Sequence, residues 1–264
     1  MSGLALHDRG AGPAVVLLHS GGMSSRQWRA LADLLQPHHR VLAPDLPGCG
    51  ANPPWPHDAP FVVQQDLDAL LAALPPDLPL HLVGHSYGGL LALRMALQEP
   101  ARVRSVAVYE PTAFGVLRTP PDAEALADLV ALTQQPVFID EATGGSEPWM
   151  RLFIDYWNGP GGWDRLPEPT RAGFLRVGRK VFREVRALMD DATTQAQYAQ
   201  LRAPTLLLSG EHTTPAERCV MTRLAQALPH NSRRIVAGAG HMGPLSHAAE
   251  VNAAIVAHLG QHPF

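Results

Sequence analysis

Cysteine is scarce in this chain: Cys49 and Cys219 are the only two among 264 residues. That is too few for a disulfide framework, so reduced thiols and a cytoplasmic setting are expected. Long apolar runs are missing as well. The first apolar stretch is interrupted by His7, Asp8, Arg9 and Gly10, and no run of about eighteen apolar residues follows, so neither a secretory signal nor a membrane span is expected. An excess of one charge is also lacking. With 21 basic and 24 acidic residues the formal net charge is −3, which argues against nucleic acid or an anionic membrane as a partner. Internal repeats and low-complexity tracts are absent, and aromatics make up 6%. What is present is an ordinary globular composition, 46% hydrophobic and 17% charged, long enough for one large α/β domain with an insertion.

Short apolar segments alternate with helical ones, the pattern of a mostly parallel central sheet with helices on both faces. Strands are expected at Leu4 to Leu6 on an edge, then Ala14 to Leu18, Arg40 to Ala43, Leu80 to Val83, Ser105 to Tyr109, Thr205 to Ser209 and Arg233 to Val236. Helices are expected around Arg26 to Leu35, started by Ser24 and Ser25, and around Val62 to Ala73, Leu90 to Gln98, Pro215 to Ala227 and Ala248 to Leu259. One interval breaks the alternation: from Thr112 to about Leu201 no strand pattern appears, over a length too great for a simple connection. Three stripes at helical spacing lie there, Ala123 to Leu132, Trp149 to Trp157 and Phe174 to Leu188. The expected division is therefore a core of residues 1–112 and 202–264 with an inserted helical cap at 113–201.

The pentapeptide GHSYG at 84–88 stands between an apolar strand and a helix. A sharp strand-to-helix turn holds its central residue in a strained conformation with the side chain exposed above the sheet. Ser86 is the candidate nucleophile. The following helix starts with unsatisfied amides, so the Tyr87 N–H is a candidate oxyanion donor. A serine hydroxyl needs a base, and His241, in the glycine-rich loop GAGHMGP at 238–244 after the last expected strand, is the best of 13 histidines. Metal binding has no support, because pairs such as His38 and His39 lack companion ligands at usable spacing. No cofactor is expected.

With HSGGM at 19–23, DLPGCG at 45–50, GHSYGG at 84–89, LLLSGEH at 206–212 and GAGHM at 238–242, the chain resembles α/β-hydrolase-fold enzymes over nearly its whole length. The resemblance implies a serine hydrolase with a helical cap. In that family the segment after the penultimate strand usually reads glycine, two residues, then the triad aspartate; here Thr213 follows Gly210, Glu211 and His212. Some members carry the acid one strand earlier, directly after the strand that follows the nucleophile helix. Glu110, in VYEPTAF at 108–114, holds that position and is the first candidate, with Glu211 the second. The family's HG-x loop maps a second oxyanion donor to Gly21, with Ser20 in place of the usual glycine.

The substrate is expected to be a small molecule. Trp149, Phe153 and Trp157 in the cap, with Met23 and Met242 beside the two loops, are read as substrate-facing, although cap aromatics equally suit the cap's own core. The basic stretch Arg171, Arg176, Arg179, Lys180, Arg183 and Arg186, with Glu184 as its one acid, reads first as a solvated face; the other reading is a dock for a phosphorylated carrier bearing a thioester. The expected reaction is hydrolysis of an ester-like bond of a largely apolar substrate. Carbon–carbon bond hydrolysis, thioester hydrolysis and a non-hydrolytic ligand-binding role stand as alternatives, and oligomeric state is left open.

Overall fold

The computed structural model describes residues 3–263. Seven strands form one sheet: β1 (Leu6–Arg9), β2 (Ala14–Leu18), β3 (Arg40–Pro44), β4 (Leu80–His85), β5 (Val103–Tyr109), β6 (Thr205–Gly210) and β7 (Asn231–Val236). Their order is β1-β3-β2-β4-β5-β6-β7, and every pairing is parallel except β1 with β3. The sheet's inner strands are apolar on both faces because both faces are covered. Along β2 this gives two cores: Val16 and Leu18 pack on one side with α2 (Val63–Ala73), α3 (Tyr87–Gln98) and α9 (Pro215–Ala227), while Val15 and Leu17 pack on the other with α1 (Arg29–Leu35) and α11 (Ala248–Gln261).

The expected strands and helices are found with shifted ends. The first strand begins at Leu6 rather than Leu4, because pairing with β3 runs from Leu6 opposite Pro44 to Arg9 opposite Val41, while the Ala5 N–H is taken by the Asn52 side chain at 2.8 Å. Its charges suit an exposed edge, and Asp8 answers Arg40 across the pair at 2.6 Å. The first helix is preceded by a 3₁₀ turn, Ser25–Trp28, and Ser24 caps it by position with no side-chain bond.

Between β5 and β6 the described chain contains a 3₁₀ turn (Phe114–Leu117) and the helices α4 (Ala123–Thr133), α5 (Pro136–Ile139), α6 (Glu147–Asn158), α7 (Glu168–Met189) and α8 (Gln195–Tyr198), with no strand. They bury a third core, including Phe138, Trp149, Trp163 and Phe182. A short helix, α10 (Gly243–Ser246), joins the loop after β7 to α11.

Register levels the carboxyl ends of the central strands. Leu18 lies opposite Gly84, and His85 opposite Tyr109. Residues just beyond those ends therefore meet, as ligand sites do in parallel sheets. Close approach of α3 makes this level fit: a Cβ on Gly88 would sit 2.4 Å from the His19 carbonyl oxygen and 2.5 Å from that of Leu18. Gly88→Ala is expected to cost about 2 kcal/mol by overpacking, roughly 4 to 8 °C in Tm for a chain of this size. By contrast Gly260, exposed in α11 with open space around it, should gain Tm when changed to alanine. Differential scanning calorimetry of both variants checks the contrast, and equal shifts would contradict it.

Candidate active site

Ser86 is the residue immediately after β4 and the N-cap of α3. Its backbone has φ 54° and ψ −120°, a conformation that costs a non-glycine residue free energy and persists only where neighbours hold it. They do so here. The Ser86 N–H donates to the Tyr109 carbonyl at 3.0 Å, extending the sheet by one bond, and the Leu90 N–H donates to the Ser86 carbonyl at 3.0 Å, opening the helix. Gly84 lets the two elements cross, since a Cβ there would lie 2.3 Å from the Gly88 carbonyl oxygen.

Glu110 repeats this construction one strand over. It directly follows β5, has φ 44°, and donates its N–H to the Leu208 carbonyl at 2.9 Å. Its side chain is fully buried. One carboxylate oxygen, Oε1, accepts from the Gly210 N–H at 2.8 Å; the other, Oε2, lies 2.7 Å from His241 Nδ1. That bond assigns the imidazole proton to Nδ1 and leaves Nε2 with its lone pair. Of the two acids proposed from sequence, Glu110 is brought to His241. Glu211 is exposed and accepts instead from the Gly238 N–H at 2.8 Å. Thr213, where the family's aspartate would stand, is buried with its hydroxyl unpartnered among the described residues.

His241 is gripped from two further sides. His85, second residue of the GHSYG motif, donates Nε2–H to the His241 carbonyl at 2.8 Å and accepts at Nδ1 from the Gln27 amide at 3.0 Å. Complete burial pushes the His85 pKa well below its ordinary value, which keeps it in that one neutral tautomer. The Trp157 ring stacks on the His241 ring with centroids 3.8 Å apart and planes 19° from parallel. Ser86 and His241 border the same small chamber with Gly21, Met23, Phe153 and Met242. Among the described residues no hydrogen bond joins the Ser86 hydroxyl to His241, a contact that in unliganded sites is commonly long and tightens on binding.

The loop after β2 is braced before it reaches Gly21. Ser20 donates both its N–H and its hydroxyl to Gln27 Oε1 at 3.0 Å, and Trp28 Nε1–H donates to the Leu18 carbonyl at 3.0 Å. His19 accepts from the Leu46 N–H at 2.9 Å and donates to the Ser20 carbonyl at 2.8 Å; burial lowers its pKa to about 4. It is a bracket for the loop. Asp45 does similar work, accepting from the Ser25 and Ala51 amides at 2.7 and 2.8 Å. The Cys49 thiol is buried and pushed far up.

A second, mostly apolar chamber adjoins Ser86, Tyr87 and Gly21, walled by Phe114, Leu132, Phe138, Phe153, Trp157 and Val185 among others. Four of the five residues read as substrate-facing border one or both chambers: Met23, Phe153, Trp157 and Met242. Trp149 does not. It is fully buried between Phe138 and Phe153, stacked on each, with its indole N–H on the Phe138 carbonyl.

Sequence reasoning missed several residues. The sequence pattern puts Lys180 and Glu184 on a solvated face, yet both are 1% exposed, and Arg179 and Arg183 pair with Glu141 at 3.3 and 2.8 Å. The face of α7 read as one basic surface thus turns partly inward. Helical spacing marked its apolar stripe, but nothing in the spacing shows which charged positions meet a neighbour. Glu217 in α9 is buried with both carboxylate oxygens unpartnered among the described residues; burial and the nearby Glu110 charge push its pKa well up. Among the described residues no cluster of potential ligands suits a metal ion, and no helix is long and apolar enough to cross a membrane.

A sequence profile described as alpha/beta hydrolase fold matches residues 13–248. Pimeloyl-acyl-carrier-protein methyl ester esterase of Chromobacterium violaceum is 29% identical over 260 residues, spanning 97% of this chain and 98% of that protein. The 2-hydroxy-6-oxo-2,4-heptadienoate hydrolase of Pseudomonas putida is 31% identical, spanning 89% of this chain and 85% of its own. In fold, the structure of MenH from S. aureus matches with a TM-score of 0.74 at 18% identity, covering 99% of each chain. Profile, relatives and sheet order agree, and the chain belongs to the alpha/beta hydrolase fold family.

Proposed function

We propose that this hydrolase cleaves an ester bond of a small, largely apolar substrate by acyl transfer through Ser86. The observation that carries the reading is the buried 2.7 Å bond between Glu110 and His241 Nδ1, one strand-end away from a strained Ser86. Nε2 of His241 takes the hydroxyl proton as Ser86 attacks the carbonyl. The amides of Tyr87 and Gly21 hold the tetrahedral oxyanion, and losing one such donor costs on the order of 10² to 10³ in turnover. His241 then protonates the leaving alcohol, and the same nitrogen activates the water that releases the acid. No cofactor takes part.

Residues 113–201 act in this reading as a cap over a core of residues 1–112 and 202–264, with Phe153 and Trp157 from α6 bordering the reacting atoms. A cytoplasmic setting suits the two free cysteines. The Chromobacterium relative's name supports an ester as the bond cleaved. A carbon–carbon bond is the second reading, favoured by the name of the Pseudomonas relative. Docking of a phosphorylated carrier on α7 is weakened by the burial of Lys180 and the pairing of Arg179 and Arg183.

Two outcomes are expected. A fluorophosphonate probe should label the protein, and Ser86→Ala should abolish the label; an unlabelled wild type would favour a non-hydrolytic binding protein. Glu110→Gln should lower kcat for p-nitrophenyl esters by about 10⁴. Because the Gly210 N–H fixes an oxygen at that end, the amide would present its NH₂ to Nδ1, move the imidazole proton to Nε2 and remove the base. Glu211→Gln should stay within a few-fold of wild type. Steady-state kinetics of both variants measure this, and near-normal turnover of Glu110→Gln would sink the assignment of the acid.

A further inference from the structure

The chamber walled by Phe114 and Leu132 is apolar apart from a few groups, and among the described residues two of its lining residues each carry a buried oxygen with no partner: Glu184 Oε2 and Thr112 Oγ1. Both residues are 1% exposed. Glu184 is held rigidly from behind. Its Oε1 accepts from Lys180 Nζ at 2.9 Å, and the same ammonium donates to Asp66 Oδ2 at 2.7 Å, which also receives the Tyr87 hydroxyl at 2.8 Å. Phe61 and Trp55 cover Nζ, with ring centroids at 4.1 and 5.1 Å. The free oxygen faces the loop after β2: a Cβ on Gly21 would lie 2.7 Å from Glu184 Oε2. Thr112 lines the same chamber, its N–H directed at the Ser86 carbonyl at 3.4 Å.

Buried polar atoms normally have partners, and leaving a carboxylate oxygen dry and unpaired is costly. The protein supplies none here, so the complement is a donor on the bound molecule. We propose that Glu184 and Thr112 form a specificity site for a hydroxyl group on the acyl part of the substrate, close to the reacting carbonyl. This rests on the acyl-transfer reading, which places the carbonyl oxygen at Gly21. A hydroxyl satisfies both orphans at once, donating to Glu184 and accepting from Thr112. An ether oxygen can only accept, and an anionic substituent meets two carboxyl groups sharing a single ammonium. The favoured substrates are hydroxyacyl esters rather than plain alkyl or dicarboxylic ones.

Charge at the site follows from its neighbours. Burial lifts the Glu184 pKa to about 7, against the pull of Lys180 and with the help of Asp66. The Tyr87 hydroxyl and Cys49 thiol, both pushed up by burial, stay neutral in that range. Above it Glu184 accepts only.

Ser86→Ala allows binding to be measured without turnover. Calorimetric titration of this full-length variant at roughly pH 8.5, where a carboxyl titrating near 7 is ionised, compares methyl 3-hydroxybutyrate, methyl 3-methoxybutyrate and methyl butyrate. The hydroxy ester should bind on the order of tenfold more tightly than the methoxy ester. Adding Glu184→Gln should erase that preference, since an amide NH₂ facing the chamber donates to either oxygen. Should that double variant fail to fold, Ser86→Ala with Thr112→Val is expected to lose affinity for the hydroxy ester while binding methyl butyrate as before. Equal binding of the hydroxy and methoxy esters by Ser86→Ala overturns the proposal. Failure of the wild type to hydrolyse any of the three esters would instead overturn the acyl-transfer reading, with the binding comparison still decisive for the hydroxyl site.

Discussion

The hydrogen bond between Glu110 and His241 is the contact on which the rest of the site depends. A histidine at the tip of a glycine-rich loop has two tautomers and many orientations; a buried carboxylate at 2.7 Å selects one of each. That carboxylate is itself fixed, with one oxygen on the Gly210 N–H and its backbone carried on from β5 at positive φ. His85 holds the loop from below and Trp157 lies flat on the ring from above. Ser86 needs only to stand at the neighbouring strand end, and the register of β4 with β5 puts it there.

A second constraint ties the helices between β5 and β6 to the sheet. Lys180 reaches from α7 into contact with Asp66 of α2 and the ring of Tyr87 on α3. Burying these charges confers little net stability, but removing one partner leaves an uncompensated charge, a loss of about 3 to 5 kcal/mol. The chamber above Ser86 is thus closed by a contact that is expensive to break, and the same contact orients Glu184. Packing alone does not explain a lysine at this position. A polar anchor that sets how α7 lies beside Ser86 does.

Much of this was legible in the sequence. Alternating apolar segments gave the strands of the sheet, because a strand buried on both faces is a continuous run of residues such as Ala14 to Leu18. Glycines at 84 and 88 marked the turn because backbone atoms approach them more closely than any side chain allows. Glu110 was legible through its position after a strand once Thr213 stood where an aspartate was expected. What stayed hidden depends on contacts between elements distant in the chain. Trp149 and Phe153 lie on the same helix, one in that segment's own core and the other at the chamber, and only the packing of α5 and α7 separates them. Lys180 and Glu184 read as exposed charge because Asp66 and Tyr87, which Lys180 meets, lie on another part of the chain.

If Ser86 carries the acyl group, the intermediate can be caught. Protein quenched in acid during turnover of p-nitrophenyl butyrate should carry one butyryl mass on the peptide that contains Ser86, and on no other, in intact and digested mass spectra. Sustained turnover with no adduct at Ser86, or with the adduct on another residue, would contradict acyl transfer through this serine.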